Sequence, residues 1–316
     1  MTLDAHPRVA VMGAGAVGGF FGGMLALAGV PVTLVGRAQH VDAVKRNGLV
    51  IERESHNDVV QVDATTDLAA VRDADIVLVC VKSPDTAAAA AAIKPFLRTD
   101  SVVVSLQNGV ENAQTIAHNI DQVVLAAVVW VGAYMNGPGI VRHAGAGHLV
   151  LGVPRASAGR HDAAARAQQV AAMFERAGVP CPVAADIEVA LWSKLTVNCA
   201  FNAISALGRA RYGRMAREGA TRGIMEAAVR EAVAVAQASG VALDEAAMLA
   251  SVWRTAEALP SQYSSTAQDI LRGKPTEIDM LNGFVARRAE ALGLAAPVNR
   301  ALHALVKLRE AGDDFV

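Results

Sequence analysis

The stretch that most constrains this chain is Arg8-Val-Ala-Val-Met-Gly13-Ala14-Gly15-Ala16-Val17-Gly18, near its start. An apolar run, a glycine-spaced turn and a second apolar run ending near Gly29 read as strand, tight turn and helix. In such a unit the first glycine permits the turn, the second lets backbone approach a pyrophosphate, and the third lets helix and strand pack closely. The phosphates then sit at the helix N-terminus, where unpaired N–H groups and the helix dipole favour anions. Gly13, Ala14, Gly15, Ala16, Val17 and Gly18 are therefore the expected cofactor-binding turn. A turn made for packing alone is the bland alternative.

The next strand, expected over 31–36, sharpens the partner. A site that prefers NAD places a carboxylate at its end to accept a hydrogen bond from the ribose 2′-hydroxyl. Here Gly36-Arg37 occupies that end, and no carboxylate appears before Asp42. A guanidinium pairs bidentately with a 2′-phosphate, so the expected cofactor is NADP(H), with Arg37 as its reader.

The chain is 53% hydrophobic, 4% aromatic, and carries a formal charge of −1 over 316 residues. Its length admits two domains with real cores. The near-zero charge leaves no basic stripe for a nucleic-acid backbone. The apolar runs are Ala-rich and interrupted, too short for a membrane span. Cys80, Cys181 and Cys199 are scattered, with no CxxC spacing. That usage, with no leader-like N-terminus, predicts a reduced cytoplasmic protein without disulfides.

Strands are expected near 8–13, 31–36, 75–81, 101–106 and 123–130, with helices between most of them. This alternation predicts a mostly parallel, doubly wound sheet of Rossmann type. Leu49–Glu52 and Val59–Val62 are expected to pair across a polar turn, and 139–143 and 148–152 to extend the sheet. From His161 onward the pattern is helical. The expected fold class is α/β: an N-terminal Rossmann-type domain over 1–180 and an all-helical C-terminal domain over 181–316. Ala-rich helices such as 221–239 suit packing within that domain or across a homodimer, and both stay open.

Ligands of an open parallel sheet sit beyond its strand carboxyl ends. Two such ends carry polar residues, Lys82-Ser83 and Gln107-Asn108-Gly109. For Lys82 and Asn108, cofactor or substrate contact competes evenly with a solvated terminus and an ordinary turn. In the helical half Lys194, Asn198 and Asn202 are four apart, so they line one helix face. Their neighbours Trp192, Leu195, Cys199 and Phe201 are apolar. Buried amides and ammonium groups are costly unless paired, so these three should converge on a ligand or another segment. Further on, Ser265 and Gln268 offer a hydroxyl and an amide. Thr276 and Asp279 have capping-box spacing, and Glu277 falls in the first turn of the helix they would start.

With these residues in hand the chain resembles the ketopantoate reductases (2-dehydropantoate 2-reductases) over nearly its whole length. The motifs are Gly13-x-Gly15-x-x-Gly18, Lys82, Asn108-Gly109, Trp192-x-Lys194-Leu-x-x-Asn198-x-x-x-Asn202, and Ser265-x-x-Gln268-Asp269 with Thr276-Glu277-Ile278-Asp279. The resemblance implies a Rossmann domain, a helical domain and an active site in the cleft between them. It implies NADPH-dependent reduction of ketopantoate to (R)-pantoate in pantothenate biosynthesis, a small-molecule 2-oxo acid as partner, and no metal. By the same resemblance Lys194 would be the general acid, and Glu277 would orient it, hold the substrate hydroxyl and lie against the cofactor. Asn198 and Asn202 would bind the hydroxyl end. Ser265 would bind the carboxylate, Asn108 would lie near nicotinamide and carboxylate, and Lys82 and Arg37 would serve the cofactor. The alternatives are reduction of another branched 2-oxo acid, a related hydroxy-acid dehydrogenase, and a non-catalytic NADP(H)-sensing protein.

Overall fold

The computed structural model describes residues 7–312; the first six residues, on which the expectation of no leader partly rests, lie outside them. The chain divides into two compact units, Met1–Ala190 and Leu191–Val316.

The first unit is built on one nine-stranded sheet of order β4-β3-β9-β8-β7-β6-β1-β2-β5. Its strands are β1 (Val9–Met12), β2 (Val32–Val35), β3 (Leu49–Glu52), β4 (Asn57–Val60), β5 (Asp63–Thr65), β6 (Ile76–Val79), β7 (Val102–Ser105), β8 (Val123–Gly137) and β9 (Ile140–Gly152). From β5 through β2, β1, β6 and β7 to β8 every pair is parallel. Strand order reverses between β1 and β6, so the crevice beyond their carboxyl ends is the switch point where such sheets take ligands. The helices are α1 (Ala16–Leu27), α2 (Ala38–Asn47), α3 (Thr86–Ile93), α4 (Asn112–Asn119) and α5 (Ala163–Arg176). β6 and β7 are buried at every position, as a sheet covered on both faces requires. Alternate residues Val9, Val11, Leu34, Ile76, Leu78, Val102, Val104 and Leu125 share one core with Phe20, Phe21 and Leu25 of α1 and Val170, Met173 and Phe174 of α5. Phe21 and Phe174 meet edge to face, with centroids 6.1 Å apart.

Three details depart from the sequence reading. The hairpin pairs Leu49 with Val60, so its second strand is Asn57–Val60 and not 59–62; this register buries Leu49, Ile51 and Val60 together. Residues 63–65 then form a short strand of their own, β5, on the opposite edge. Finally, β8 runs on to Gly137, and the two segments expected at 139–143 and 148–152 are one continuous strand. Register shifts interrupt that pairing near Trp130/Val131 and Gly132/Ala133. Gly145, Ala146 and Gly147 absorb them at positive φ, the way bulges let a strand continue.

The second unit is helical: most of α6 (Ile187–Gly208), then α7 (Tyr212–Arg217), α8 (Gly219–Ala238), α9 (Glu245–Ala258), α10 (Ser265–Leu271), α11 (Asn282–Ala291) and α12 (Pro297–Glu310). Ala203 of α6, Ala228 of α8, Ile278 and the α12 residues Leu302 and Val306 form one buried cluster. Among the described residues no helix is long and apolar enough to cross a membrane.

Candidate active site

The glycine turn has the local geometry its spacing predicts. Gly13 sits at φ +101°, and a Cβ there would lie 2.7 Å from the Val81 nitrogen, so both conformation and space demand glycine. A Cβ on Gly18 would fall 2.3 Å from the Gly13 carbonyl oxygen and 2.8 Å from Val11 Cγ1; its absence lets α1 start directly on β1. Around Gly15 a Cβ would meet nothing within 4 Å. No side chain caps α1, and Gly15 is its N-cap residue. The first-turn amides of Ala16, Val17 and Gly18 therefore stand at an open, uncapped helix start, which fits a pyrophosphate.

The end of β2 is tied to this turn. The Val35 carbonyl accepts from Gly13 N–H at 3.0 Å and from Ala14 N–H at 3.1 Å. Arg37 follows two residues later as the N-cap of α2. Its side chain is exposed, and it makes no ion pair among the described residues. At the end of β6, Lys82 is exposed and begins a single 3-10 turn, Ser83–Asp85. At the end of β7, Asn108 is half-buried, and its carbonyl accepts from Ser83 Oγ at 3.0 Å and Asn112 Nδ2 at 2.6 Å. The first unit thus gathers Gly13–Gly18, Arg37, Lys82 and Asn108 at the carboxyl ends of four adjacent strands.

In the second unit Lys194, Asn198 and Asn202 lie on α6, and Ile278, next to Glu277, is fully buried in the cluster that includes Ala203 of the same helix. Lys194 is half-buried. Desolvation pulls its ammonium down to about 8, opposed by the attraction of the Glu277 carboxylate. Asn202 is 2% exposed, and its Nδ2 donates to Ser265 Oγ at 3.4 Å. The structure therefore brings Lys194 within electrostatic reach of Glu277, and Asn202 within reach of Ser265.

Sequence reasoning passed over the residue that holds α10 in place. Ser264, not Ser265, is the N-cap: its Oγ accepts from Ala267 N–H and donates to the Asn202 carbonyl at 3.1 Å. Its N–H donates to Ser205 Oγ. A serine three residues before a helical amide is a legible cap signal, obscured here by the adjacent serine. The Gln268 Nε2 donates back to the Tyr263 carbonyl at 3.2 Å.

The capping box expected at Thr276 and Asp279 does not form. Thr276 Oγ1 accepts from Ile278 N–H, but the segment makes only one 3-10 turn, Ile278–Met280, before α11. The Asp279 carboxylate turns instead to α12, with His303 Nε2 at 2.6 Å and Lys307 Nζ at 3.0 Å. Desolvation works against its ionisation, and the His303 and Lys307 hydrogen bonds outweigh that and hold it below the usual carboxylate range. A long-range ion pair has displaced a local cap, and it pins α12 beside the Glu277 segment.

Comparison with known proteins places this arrangement. The ketopantoate reductase PanE/ApbA family model matches residues 9–156, and its C-terminal counterpart matches residues 186–310. The chain belongs to this family. It is an oxidoreductase of the 2-dehydropantoate 2-reductase type. The 2-dehydropantoate 2-reductase of Halobacterium salinarum is 37% identical over 96% of this chain and 99% of its own. A crystal structure of a PanE/ApbA family ketopantoate reductase from Ralstonia eutropha JMP134 is 48% identical, with a TM-score of 0.88 over 96% of this chain and 98% of that one. The ternary structure of D-mandelate dehydrogenase with NADH and anilino(oxo)acetate shares the fold, with a TM-score of 0.88 over 96% and 98% of the two chains at 24% identity. Among the described residues no cluster of three or more His, Cys, Asp or Glu could hold a metal.

Proposed function

We propose that this enzyme reduces 2-dehydropantoate to (R)-pantoate with NADPH, and that Lys194 is its general acid. The observation that carries this reading is the desolvated ammonium of Lys194 near the Glu277 carboxylate, on a helix whose next two turns present Asn198 and Asn202.

The residues divide by chemistry. The Gly13–Gly18 turn would hold the pyrophosphate through backbone N–H groups, and Arg37 would pair with the 2′-phosphate that distinguishes NADPH. Lys82 and Asn108 would border the rest of the dinucleotide, with Asn108 also reaching the substrate carboxylate. When bound, NADPH supplies the hydride that reaches the ketone carbon. Negative charge then builds on the ketone oxygen, and Lys194 Nζ stabilises it and delivers a proton. Glu277 keeps that ammonium protonated near neutral pH and orients it. Asn198 and Asn202 would bind the substrate hydroxyl, and Ser265 the carboxylate.

Steady-state assays test this directly. Oxidation of NADPH with ketopantoate is expected to exceed that with 2-oxoisovalerate or 2-oxoisocaproate in kcat/KM. A preference for either of the latter overturns the substrate assignment, and unimpaired turnover by Lys194→Ala overturns the mechanism.

A further inference from the structure

Five polar side chains lie buried where strands β6 and β7 end: Ser83, Thr86, Ser105, Gln107 and Asn112, each 6% exposed or less. Gln107 Nε2 donates to the Val81 carbonyl at 2.9 Å and to Thr86 Oγ1 at 2.7 Å, and its Oε1 accepts from Ser105 Oγ at 3.0 Å. Asn112 Nδ2 donates to the Asn108 carbonyl at 2.6 Å and to Ser83 Oγ at 3.2 Å. The single Thr86 hydroxyl proton is offered to the Ser83 carbonyl at 2.8 Å or to Asn112 Oδ1 at 2.9 Å. Ser83 Oγ donates to the Asn108 carbonyl.

Every buried amide and hydroxyl of this set has a partner. Backbone carbonyls only accept, so the bonds to Val81 and Asn108 fix which way both amides face. The network is uncharged. An apolar set of similar volume would fill the same space without desolvating five polar groups. What the polar set adds is aim. It grips the carbonyl immediately before Lys82 and the carbonyl of Asn108 itself, and it ties both to the first residues of α3 and α4.

We infer that Gln107, Thr86 and Asn112 are positioning residues, a buried amide–hydroxyl clamp that sets the two loops presenting Lys82 and Asn108 to dinucleotide and substrate. This inference rests on the roles proposed above for Lys82 and Asn108.

The test is a double-mutant cycle on NADPH binding, followed by nicotinamide fluorescence with the full-length protein. Gln107→Met keeps the volume but removes the donors, and it is expected to raise the NADPH Kd about tenfold. Thr86→Val should act similarly, and Thr86→Ser, which keeps the hydroxyl, should restore binding to within about twofold. In the Lys82→Ala background Gln107→Met should have almost no further effect, because its influence passes through Lys82. Asn112→Leu should raise the ketopantoate KM with kcat little changed. Additive losses in the cycle, or Thr86→Ser as damaging as Thr86→Val, overturn the clamp and leave a packing role only. If Lys82→Ala itself binds NADPH normally, the role given to Lys82 fails first; the clamp then fails as a device for Lys82, whatever Gln107→Met does. A variant that does not fold is replaced by Gln107→Leu at lower temperature, read by the same cycle.

Discussion

At the head of α1 the working surface consists of what side chains leave uncovered, whereas on α6 it consists of side chains set into a helix that is otherwise core. Gly13 and Gly18 lack a Cβ for conformation and packing, and in the proposed site Gly15 would lack one for the approach of the pyrophosphate. In the proposed site Lys194, Asn198 and Asn202 would act by carrying polar atoms among Trp192, Leu195 and Phe201, which are 4%, 2% and 1% exposed. The first surface is vulnerable to added atoms and the second to deleted ones. A backbone site is complete once the chain folds. A side-chain site also needs its charges tuned by neighbours, as Glu277 tunes Lys194.

The comparison breaks most sharply at Lys194. Lys194→Ala should lower kcat for reduction by about a thousandfold, the scale of a lost general acid, while NADPH affinity stays within a few-fold; stopped-flow and fluorescence titration read the two separately. Next comes the opposite kind of change. Gly18→Val adds atoms where 2.3 Å is available; it should weaken NADPH binding about a hundredfold, or unfold the turn at a cost of about 3 kcal/mol, as calorimetry and titration would report. The two halves should also part in their pH response. The reductive kcat should be flat on the acid side and fall tenfold per unit above about 8, where Lys194 loses its proton. Since the carboxylate raises that value, Glu277→Gln should move the falling limb to lower pH and reduce the plateau. NADPH affinity should not follow that limb. A smaller effect belongs to Arg37: Arg37→Asp should weaken NADPH about tenfold more than NADH, and equal losses would remove it as the 2′-phosphate reader. The smallest is Ser265→Ala, a severalfold rise in KM for the oxo acid with kcat near wild type.

The backbone-built surface was the more legible of the two. Gly13-x-Gly15-x-x-Gly18 declares itself by its spacing, and conformation at Gly13 and close packing at Gly13 and Gly18 restrict those two positions to glycine. That the strands would form a mostly parallel sheet followed from alternation of apolar runs with helical stretches; their order did not. The lengths of β8 and β9 were hidden, because bulges and Gly145-Ala146-Gly147 interrupt the alternation by which a strand is read. The amide-lined face of α6 was visible from four-residue spacing, but its approach to Glu277 was expected only through the family resemblance. Ile278, next to Glu277, shares a buried cluster with Ala203 of α6, a juxtaposition of distant segments that no local pattern encodes. The same limit explains Asp279: its spacing from Thr276 spells a cap, and only the arrival of His303 and Lys307 on α12 decides otherwise. Of the buried polar network behind Lys82 and Asn108, the sequence reading held only Ser83 and Gln107, beyond the ends of β6 and β7, and polarity alone does not reveal which carbonyls they grip.

The β3–β4 hairpin departs from its neighbours in sequence to join the far edge, where Val50 aligns with Ile140 and Glu52 with Arg142. During synthesis this ribbon leaves the ribosome long before the strand that will receive it, so Val50, Ile51 and Glu52 of β3 must wait with one edge unsatisfied. Such delay slows folding and exposes a template for mispairing. Overexpression at high temperature should therefore lose this protein to aggregates seeded at residues 49–60, and slower translation through the intervening stretch would lengthen the period of risk.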